Sequence, residues 1–154
     1  MLEIIGFESV YRDYFRILNE EWLIKYFKIE DIDIKVLGNP EKYILDDGGF
    51  ILFARYQNEI VGTCALINQG KYGFELSKMA VTEKYQGLKI GLKLAEAVIE
   101  KAKSMGEKKI FLETNSKLKP AITLYEKLGF KHQKPKFDHS KYERADVYME
   151  LEFV

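Results

Sequence analysis

The hydrophobic positions of the chain change their spacing several times, and this predicts an alternation of helices and strands. Leu2–Phe7 is a short apolar stretch that predicts a strand. From Tyr11 to Tyr26 apolar residues recur every three or four positions, with Ser9 as a candidate N-cap, and this spacing is typical of an amphipathic helix. We interpret its aromatic residues, including Trp22 and Tyr26, as core side chains rather than a ligand cage.

A second, weaker helical stretch over Glu30–Leu37 is followed by three strands that meander. Phe50–Tyr56 and Ile60–Asn68 are rich in strand-forming residues and are separated by a short polar turn, which predicts a hairpin. A glycine-bearing loop leads to the third strand, Phe74–Val81. The two-residue period of a strand places four of its residues on one face: Glu75, Ser77, Met79 and Val81.

The second half of the chain predicts a strand-helix-strand crossover and one further strand. A helix over Leu88–Met105 carries an apolar stripe that includes Met105, and Gly106 ends it. The later elements are a strand over Lys109–Thr114, a helix from Pro120 to Gly129, an ambiguous polar segment over Lys131–Glu143 and an alternating strand over Arg144–Val154. Without internal repeats, residues 1–154 predict a single α/β domain with a mixed sheet.

Composition and charge exclude several classes of function. The 154 residues carry 24 basic and 24 acidic side chains, so no net field draws the chain to nucleic acid or to anionic lipid. Cys64 is the single cysteine, and it lies in a predicted strand, so we expect neither a disulfide nor a nucleophile. His132 and His139 are the two histidines, so no metal site is expected. No apolar run reaches about 18 residues, and the first residues do not resemble a signal peptide, so we expect a cytoplasmic protein without a membrane anchor.

The stretch Val81–Leu94, VTEKYQGLKIGLKL, combines a strand, a glycine-bearing turn and a helix start. The amide N–H groups of a first helical turn lack partners within the helix, and the helix dipole adds positive charge there, so backbone alone can hold a phosphate. Gly87 and Gly91 would let the backbone approach the anion. An alternative stays open, in which both glycines serve the turn and the packing of helix on sheet.

Two motifs in this order resemble those of the GNAT superfamily of N-acetyltransferases. Gln86 and Gly91 match the ends of the family's pyrophosphate-binding motif, while Lys89 stands where the family usually has its central glycine. The stretch Leu112–Phe130, LETNSKLKPAITLYEKLGF, is similar to the family's downstream motif. We hypothesise that Lys89 keeps a negative φ and directs its ammonium at a phosphate.

The resemblance implies a fold and a cosubstrate. The fold is a GNAT-like α/β (α+β) architecture, a mixed, mostly antiparallel twisted sheet of about six to seven strands with helices on both faces. The cosubstrate is acetyl-CoA, and no metal is required. Asn115 matches a residue that bonds pantetheine, although a role in capping or in the loop is an equal alternative. The implied cofactor-binding residues are Met79, Ala80, Val81, Gln86, Gly87, Leu88, Lys89, Ile90, Gly91, Leu92, Asn115 and Tyr125.

The same resemblance implies direct attack of an amine on the thioester in a ternary complex. An alkylammonium with a pKa near 10.4 must lose a proton before it attacks. Glu75 is the candidate base, with Glu113 in reserve, and the alternative for Glu75 is an ion-paired strand carboxylate. Tyr125 matches the family's general acid for the departing thiolate, and its alternative is an aromatic side chain that packs on the sheet.

The acceptor and the assembly stay open at this stage. A small amine or a peptide amine would each serve as acceptor, and the segments before residue 46 and over Lys131–Glu143, which face substrate in the family, carry no family signature. A homodimer is compatible with the resemblance. A second function is also compatible with the departure at Lys89, namely a catalytically silent CoA-binding sensor or interaction module.

Overall fold

One seven-stranded sheet forms the centre of the molecule in a computed structural model that describes residues 1–153. The strands follow the order β1-β2-β3-β4-β5-β7-β6, and every neighbouring pair is antiparallel except β4 and β5, which are parallel. The strands are β1 (Leu2–Gly6), β2 (Phe50–Tyr56), β3 (Glu59–Asn68), β4 (Phe74–Val81), β5 (Lys109–Thr114), β6 (Lys131–His132) and β7 (Val147–Glu152). The predicted mixed, mostly antiparallel sheet is thus confirmed.

The last part of the chain differs from the prediction. The final strand begins at Val147 rather than at Arg144, and its predicted last residue, Val154, lies outside the described residues. The segment left ambiguous contributes the short edge strand β6, whose Lys131 pairs with Glu150 of β7. Two residues are too few for a periodic pattern, so the sequence gives no signal for this strand.

Helices cover both faces of the sheet and bury a separate hydrophobic cluster on each. On one face α1 and α2 pack with Phe15, Leu23 and Phe53 at the centre, and on the other α3 and α4 pack with Leu94 and Met149 at the centre. The helices are α1 (Arg12–Tyr26), α2 (Asp31–Gly38), α3 (Ile90–Ser104) and α4 (Lys119–Lys127). This two-faced arrangement fixes the sheet between the helices.

Three helix predictions need correction. Ser9 does not cap α1, because it begins a 3-10 turn and Tyr11 takes the cap position without a side-chain bond. The helix α3 starts at Ile90, two residues after Leu88, because Lys89 has left-handed backbone geometry that an α-helix excludes. Met105 follows the last turn and is 38% exposed, so it does not extend the buried stripe.

A bulge in β4 changes which side of the sheet its residues face. Lys78 has a φ of +56°, and the register with β3 shifts between Ser77 and Ala80. Leu76 before the bulge and Met79 and Val81 after it all pack with the cluster beneath α3. The prediction that Glu75, Ser77, Met79 and Val81 share one face is therefore wrong, because the extra residue inverts the alternation.

The parallel strands β4 and β5 pair only at their beginnings. Their ladder joins Phe74 with Ile110 and Glu75 with Phe111. Beyond these pairs β4 continues for six residues to Val81 and β5 for three residues to Thr114. The two strands thus diverge toward their carboxyl ends, which is where open α/β sheets commonly place a binding crevice.

Candidate functional site

A cavity of about 850 Å³ lies where β4 and β5 diverge. Its walls come from β4, the loop before α3, the helix α4, the second half of α1 and residues 142–145. It brings together these residues that the sequence singled out: Glu75, Met79, Ala80, Val81, Gln86, Gly87, Lys89, Ile90, Gly91, Leu92, Glu113, Asn115 and Tyr125. Leu88 is 51% exposed and lies outside this lining, so its place in the site stays a prediction.

The loop that leads into α3 owes its shape to two residues with positive φ. Gly87 has a φ of +90° and Lys89 a φ of +61°. The hypothesis of a negative φ at Lys89 is therefore wrong, because the chain needs a left-handed residue here to turn into the helix. A non-glycine residue in this region costs about 1–2 kcal/mol. Gln86 closes the loop, since its side-chain amide donates to the carbonyl of Val81 at 3.1 Å.

This geometry suits an anionic group such as a diphosphate. The helix α3 begins with Ile90, Gly91 and Leu92, whose N–H groups precede the first intrahelical bonds that a helix can offer them. A Cβ atom built on Gly87 would meet nothing within 4 Å, and one on Gly91 would be in ordinary contact at 3.6 Å. Gly87 thus serves the turn itself, and the approach to the helix end stays open for a ligand.

Glu75 is a buried carboxyl at the point where the two strands part. Its Oε1 accepts a 2.9 Å hydrogen bond from Nε2 of Gln69, and Oε1 of Gln69 accepts one from Nζ of Lys141, also at 2.9 Å. Burial raises the pKa of Glu75 to about 7, and the nearby Glu113 carboxyl adds to this rise, although Gln69 opposes it. A carboxyl with this pKa can exchange protons near neutral pH.

Tyr125 packs in the core beneath α3 and also lines the cavity. Its ring packs edge-on against Phe130 with 5.8 Å between the ring centroids, and the residue is buried within the cluster beneath α3. It also lines the cavity, and burial raises the pKa of its hydroxyl. The hydroxyl therefore stays protonated at neutral pH and is available as a donor.

The Asn115 side chain is engaged within the protein. Its Nδ2 donates to the carbonyl of Arg144 at 2.6 Å, and its Oδ1 accepts from the backbone N–H of Lys117 at 2.8 Å. These bonds tie the end of β5 to the segment before β7 and shape the turn into α4. The structure thus favours the loop role among the two alternatives for this residue.

A buried charge cluster borders the cavity, and sequence reasoning missed it. Asp33 of α2 accepts a bond from Nζ of Lys78 at 3.0 Å and a two-pronged pair from Arg144, each at 2.8 Å. Burial opposes ionisation of Asp33, but Arg144 and Lys78 outweigh it and lower its pKa to about 2. The ring of Tyr142 lies 4.3 Å from Nζ of Lys78 and 4.6 Å from the Arg144 guanidinium carbon. These partners are more than forty residues apart in the chain, beyond the reach of local patterns.

The second half of α1 forms an aromatic wall of the cavity. Trp22, Tyr26 and Phe27 all line it. Trp22 also packs against the hydrophobic cluster of α1 and α2, in agreement with the interpretation as a core residue, whereas Tyr26 is 46% exposed and is not one. Asn19, one turn earlier, donates through Nδ2 to the carbonyls of Phe15 and Lys78. Oδ1 of Asn19 and Nε1 of Trp22 are buried and have no hydrogen-bond partner among residues 1–153.

Within residues 1–153, no three or more histidine, cysteine, aspartate or glutamate side chains cluster closely enough to hold a metal ion. No helix in this part of the chain has the length and apolar content needed to cross a bilayer. Cys64 is buried, and this burial raises the pKa of its thiol.

Comparison with known proteins identifies a family and related chains. Residues 7–130 match the family model described as the acetyltransferase (GNAT) family. An uncharacterized N-acetyltransferase of Schizosaccharomyces pombe is 28% identical over 145 residues, which cover 91% of this chain and 87% of that protein. The uncharacterized N-acetyltransferase YjgM of Escherichia coli is 40% identical over 80 residues, which cover 50% of this chain and 48% of that protein.

Solved structures share the fold over nearly the whole chain. An acetyltransferase of the GNAT family from Staphylococcus aureus superposes with a TM-score of 0.87 at 28% identity and covers 99% of both chains. An acetyltransferase of Bacillus subtilis, solved in complex with CoA, has a TM-score of 0.74 at 23% identity and covers all of both chains. The family match spans most of the chain and includes both motifs that the sequence resemblance rested on, so the chain belongs to the GNAT family of acetyltransferases.

Proposed function

We propose that the chain transfers an acetyl group from acetyl-CoA to a primary amine by direct attack in a ternary complex. The observation that carries this proposal is that one cavity holds Glu75, Tyr125 and the open start of α3. Family relatives support the choice of cosubstrate, since the Bacillus subtilis structure contains CoA and a Salmonella typhimurium acetyltransferase, with a TM-score of 0.78 at 19% identity, contains acetyl-CoA.

Two segments would bind acetyl-CoA: the start of α3 would bind the diphosphate, and the end of β4 would bind the pantetheine arm. The N–H groups of Ile90, Gly91 and Leu92 would hold the diphosphate, helped by the dipole of the fifteen-residue helix α3. The backbone of Met79–Val81 runs beyond its last pair with β5, so it would bond pantetheine as an added strand does. An N–H group on this segment would polarise the thioester carbonyl.

Proton transfer is assigned to the two titratable side chains. Glu75 takes one proton from the substrate ammonium, directly or through water, and the free amine attacks the thioester carbonyl carbon, so that an N–C bond forms and the C–S bond breaks. Tyr125 donates its proton to the departing thiolate and recovers one from the nitrogen, which leaves an amide and free CoA thiol. Glu75 releases its proton to solvent, so the net products are the acetylated amine, the thiol and one proton.

Tyr125→Phe tests the acid role without disturbing the packing on Phe130. We expect kcat at saturating substrates to fall about 100-fold, the usual size of a general-acid contribution, with little change in the binding of acetyl-CoA. Free thiol and the mass of the acetylated amine are measured together over a panel of amines. Tyr14→Phe is the matched control, because Tyr14 is 42% exposed on α1 and outside the cavity. An unchanged kcat in Tyr125→Phe would refute the role.

The silent CoA-binding sensor is not our choice. Its support was the lysine at the position of the family's central glycine, and Lys89 adopts the positive φ that a glycine would take there. The loop therefore keeps an open approach to α3 despite the substitution. Stabilisation of the protein by acetyl-CoA without thiol release across the amine panel would favour the sensor instead.

A further inference from the structure

The acidic side chains on the cavity walls sit on one pair of strands. Within the described lining they are Glu75 of β4 and Glu113 of β5. Glu75 pairs in register with Phe111, and Glu113 follows Phe111 by two residues on the same side of its strand. This end of the cavity therefore holds both acidic side chains of the described lining, and it suits an ammonium group.

The other charged groups of the described lining are cations, and two of them are already neutralised. Lys78 and Arg144 both bond to the fully buried Asp33, and Arg144 also bonds to Glu30 at 3.0 Å. The remaining ones are lysines 89, 117 and 127. Beyond Glu75 and Glu113 the described lining has no acidic group for a second ammonium on the substrate, and an α-carboxylate beside the reacting amine would meet those two carboxyls, so both groups are disfavoured.

The wall on α1 is aromatic, and two of its polar atoms have no hydrogen-bond partner among residues 1–153. Trp22 and Phe27 meet edge-on with 5.8 Å between the ring centroids and an interplanar angle of 83°. Nζ of Lys117 lies 5.5 Å from the centroid of the Phe27 ring, which joins this wall to the loop after β5.

In the same wall, Asn19 directs its Nδ2 to two backbone carbonyls, which fixes its amide orientation because carbonyl oxygens only accept. Its Oδ1 and the Nε1 of Trp22 lack partners among residues 1–153. Buried polar atoms without partners are rare in protein interiors, so this part of the wall differs from an ordinary apolar core.

From these observations we infer that the acceptor is a primary amine with one positive charge and an aromatic body. Trp22, Tyr26 and Phe27 bind the aromatic body, and the ammonium lies toward Glu75 and Glu113. This inference rests on the proposed acetyl transfer and adds the class of amine. A diamine, a polyamine or an α-amino acid fits the same walls less well.

Matched amines test the inference with the wild-type protein. Tyramine is the aromatic probe, tyrosine adds a carboxylate beside the same amine, and putrescine replaces the ring with a second ammonium. We expect kcat/KM for tyramine to exceed that for either of the others at least about tenfold, the effect of one unfavourable charge contact. Thiol release and product mass are measured for each amine at saturating acetyl-CoA.

Variants of the aromatic wall supply the second arm of the experiment. We expect Trp22→Ala to lower kcat/KM for tyramine about 30-fold, because it removes one aromatic contact of the substrate, with the Kd for acetyl-CoA unchanged. Tyr26→Ala, at a partly exposed position, gives a smaller loss in the same direction and serves if Trp22→Ala does not fold. Tyr14→Ala, on the same helix but outside the cavity, is the control.

The outcomes separate the two levels of the proposal. Faster acetylation of tyrosine or putrescine than of tyramine, or an unchanged kcat/KM for tyramine in both wall variants, would overturn the acceptor class while acetyl transfer stands. Acetyl-CoA binding without thiol release from any amine would overturn the proposed transfer and the acceptor class together. A preference for tyramine that the wall variants abolish would support both.

Discussion

Glu75→Gln is the substitution that probes the candidate site most directly. The change keeps the shape of the side chain and removes its titration. Burial raises the pKa of Glu75 from 4.5 to about 7. The folded protein therefore binds more protons than the unfolded chain between these two values, and its free energy of unfolding falls as the pH rises through them.

The size of the change in the free energy of unfolding follows from the rise in the pKa of Glu75. One unit corresponds to 1.36 kcal/mol, so ionisation of Glu75 in the folded state costs about 3 kcal/mol. The stabilising contribution of the neutral carboxyl is complete below pH 4.5 and is lost once the pH exceeds 7. We therefore expect Glu75→Gln to match the wild type at pH 4 and to be more stable by up to about 3 kcal/mol at pH 8.

Urea unfolding between pH 4 and 8 measures this difference, and initial rates over the same range measure the catalytic side. We expect the acid limb of the wild-type kcat/KM profile to have an apparent pKa near 7, and Glu75→Gln to lose activity about 100-fold or more. Glu96→Gln, at an exposed position of α3, is the control with no expected change. Parallel stability curves for wild type and Glu75→Gln would refute the assignment of a raised pKa to this side chain.

Three further substitutions test separate parts of the structure. We expect Gln69→Leu to move the acid limb of kcat/KM upward by about one pH unit, because it removes the 2.9 Å bond that favours the ionised Glu75; a pH–rate profile measures this. We expect Asp33→Asn to lower the free energy of unfolding by about 3–5 kcal/mol in denaturant titrations, since Lys78 and Arg144 lose their shared carboxylate. We expect Lys89→Gly to raise that free energy by about 0.5 kcal/mol, because relief of the positive φ outweighs the entropy of a glycine.

Each of these substitutions has a control nearby. Lys71→Met changes the exposed turn that follows Gln69 and should leave the pH profile in place. Asp31→Asn removes an exposed carboxylate from the first turn of α2 and should cost less than about 1 kcal/mol. Lys93→Gly, inside α3, should destabilise by about 1 kcal/mol, opposite in sign to the change at Lys89. Equal effects of a variant and its control would contradict the corresponding explanation.

The local sequence pattern was sufficient to predict an element where the formation of that element depends mainly on its own residues. The bounds of β2, β4 and β5 agree with the prediction. In β2 the signal is a run rich in apolar and aromatic residues, and β4 begins directly after a glycine-bearing loop. The loop before α3 and Tyr125, which both line the cavity, were predicted through motifs whose spacing reflects a fixed backbone shape. The cavity lining contains every site residue predicted from the sequence except Leu88, which is 51% exposed and lies between two residues of positive φ.

What the sequence did not reveal depends on contacts between distant segments. No glycine or proline at the bulge indicates its position in the sequence. Strict alternation therefore assigned the residues on the two sides of Lys78 to the same face of the sheet. The bonds of Asp33 reach Lys78 and Arg144 across 45 and 111 residues, and a charged residue in a weak helix predicts a solvated surface when it is considered alone. Trp22 looks like a core residue because a cavity wall and a core follow the same helical period.

The bulge at Lys78 divides β4 into two halves whose side chains alternate out of phase with each other. Residues before it carry the carboxyl that would receive a proton from the acceptor, and residues after it carry the backbone that would hold the cosubstrate. Substitutions that reshape the acceptor end need not disturb the alignment of Met79–Val81 with α3. Evolution or protein engineering can therefore change the acceptor amine of such a fold while the backbone that positions the acyl donor is retained.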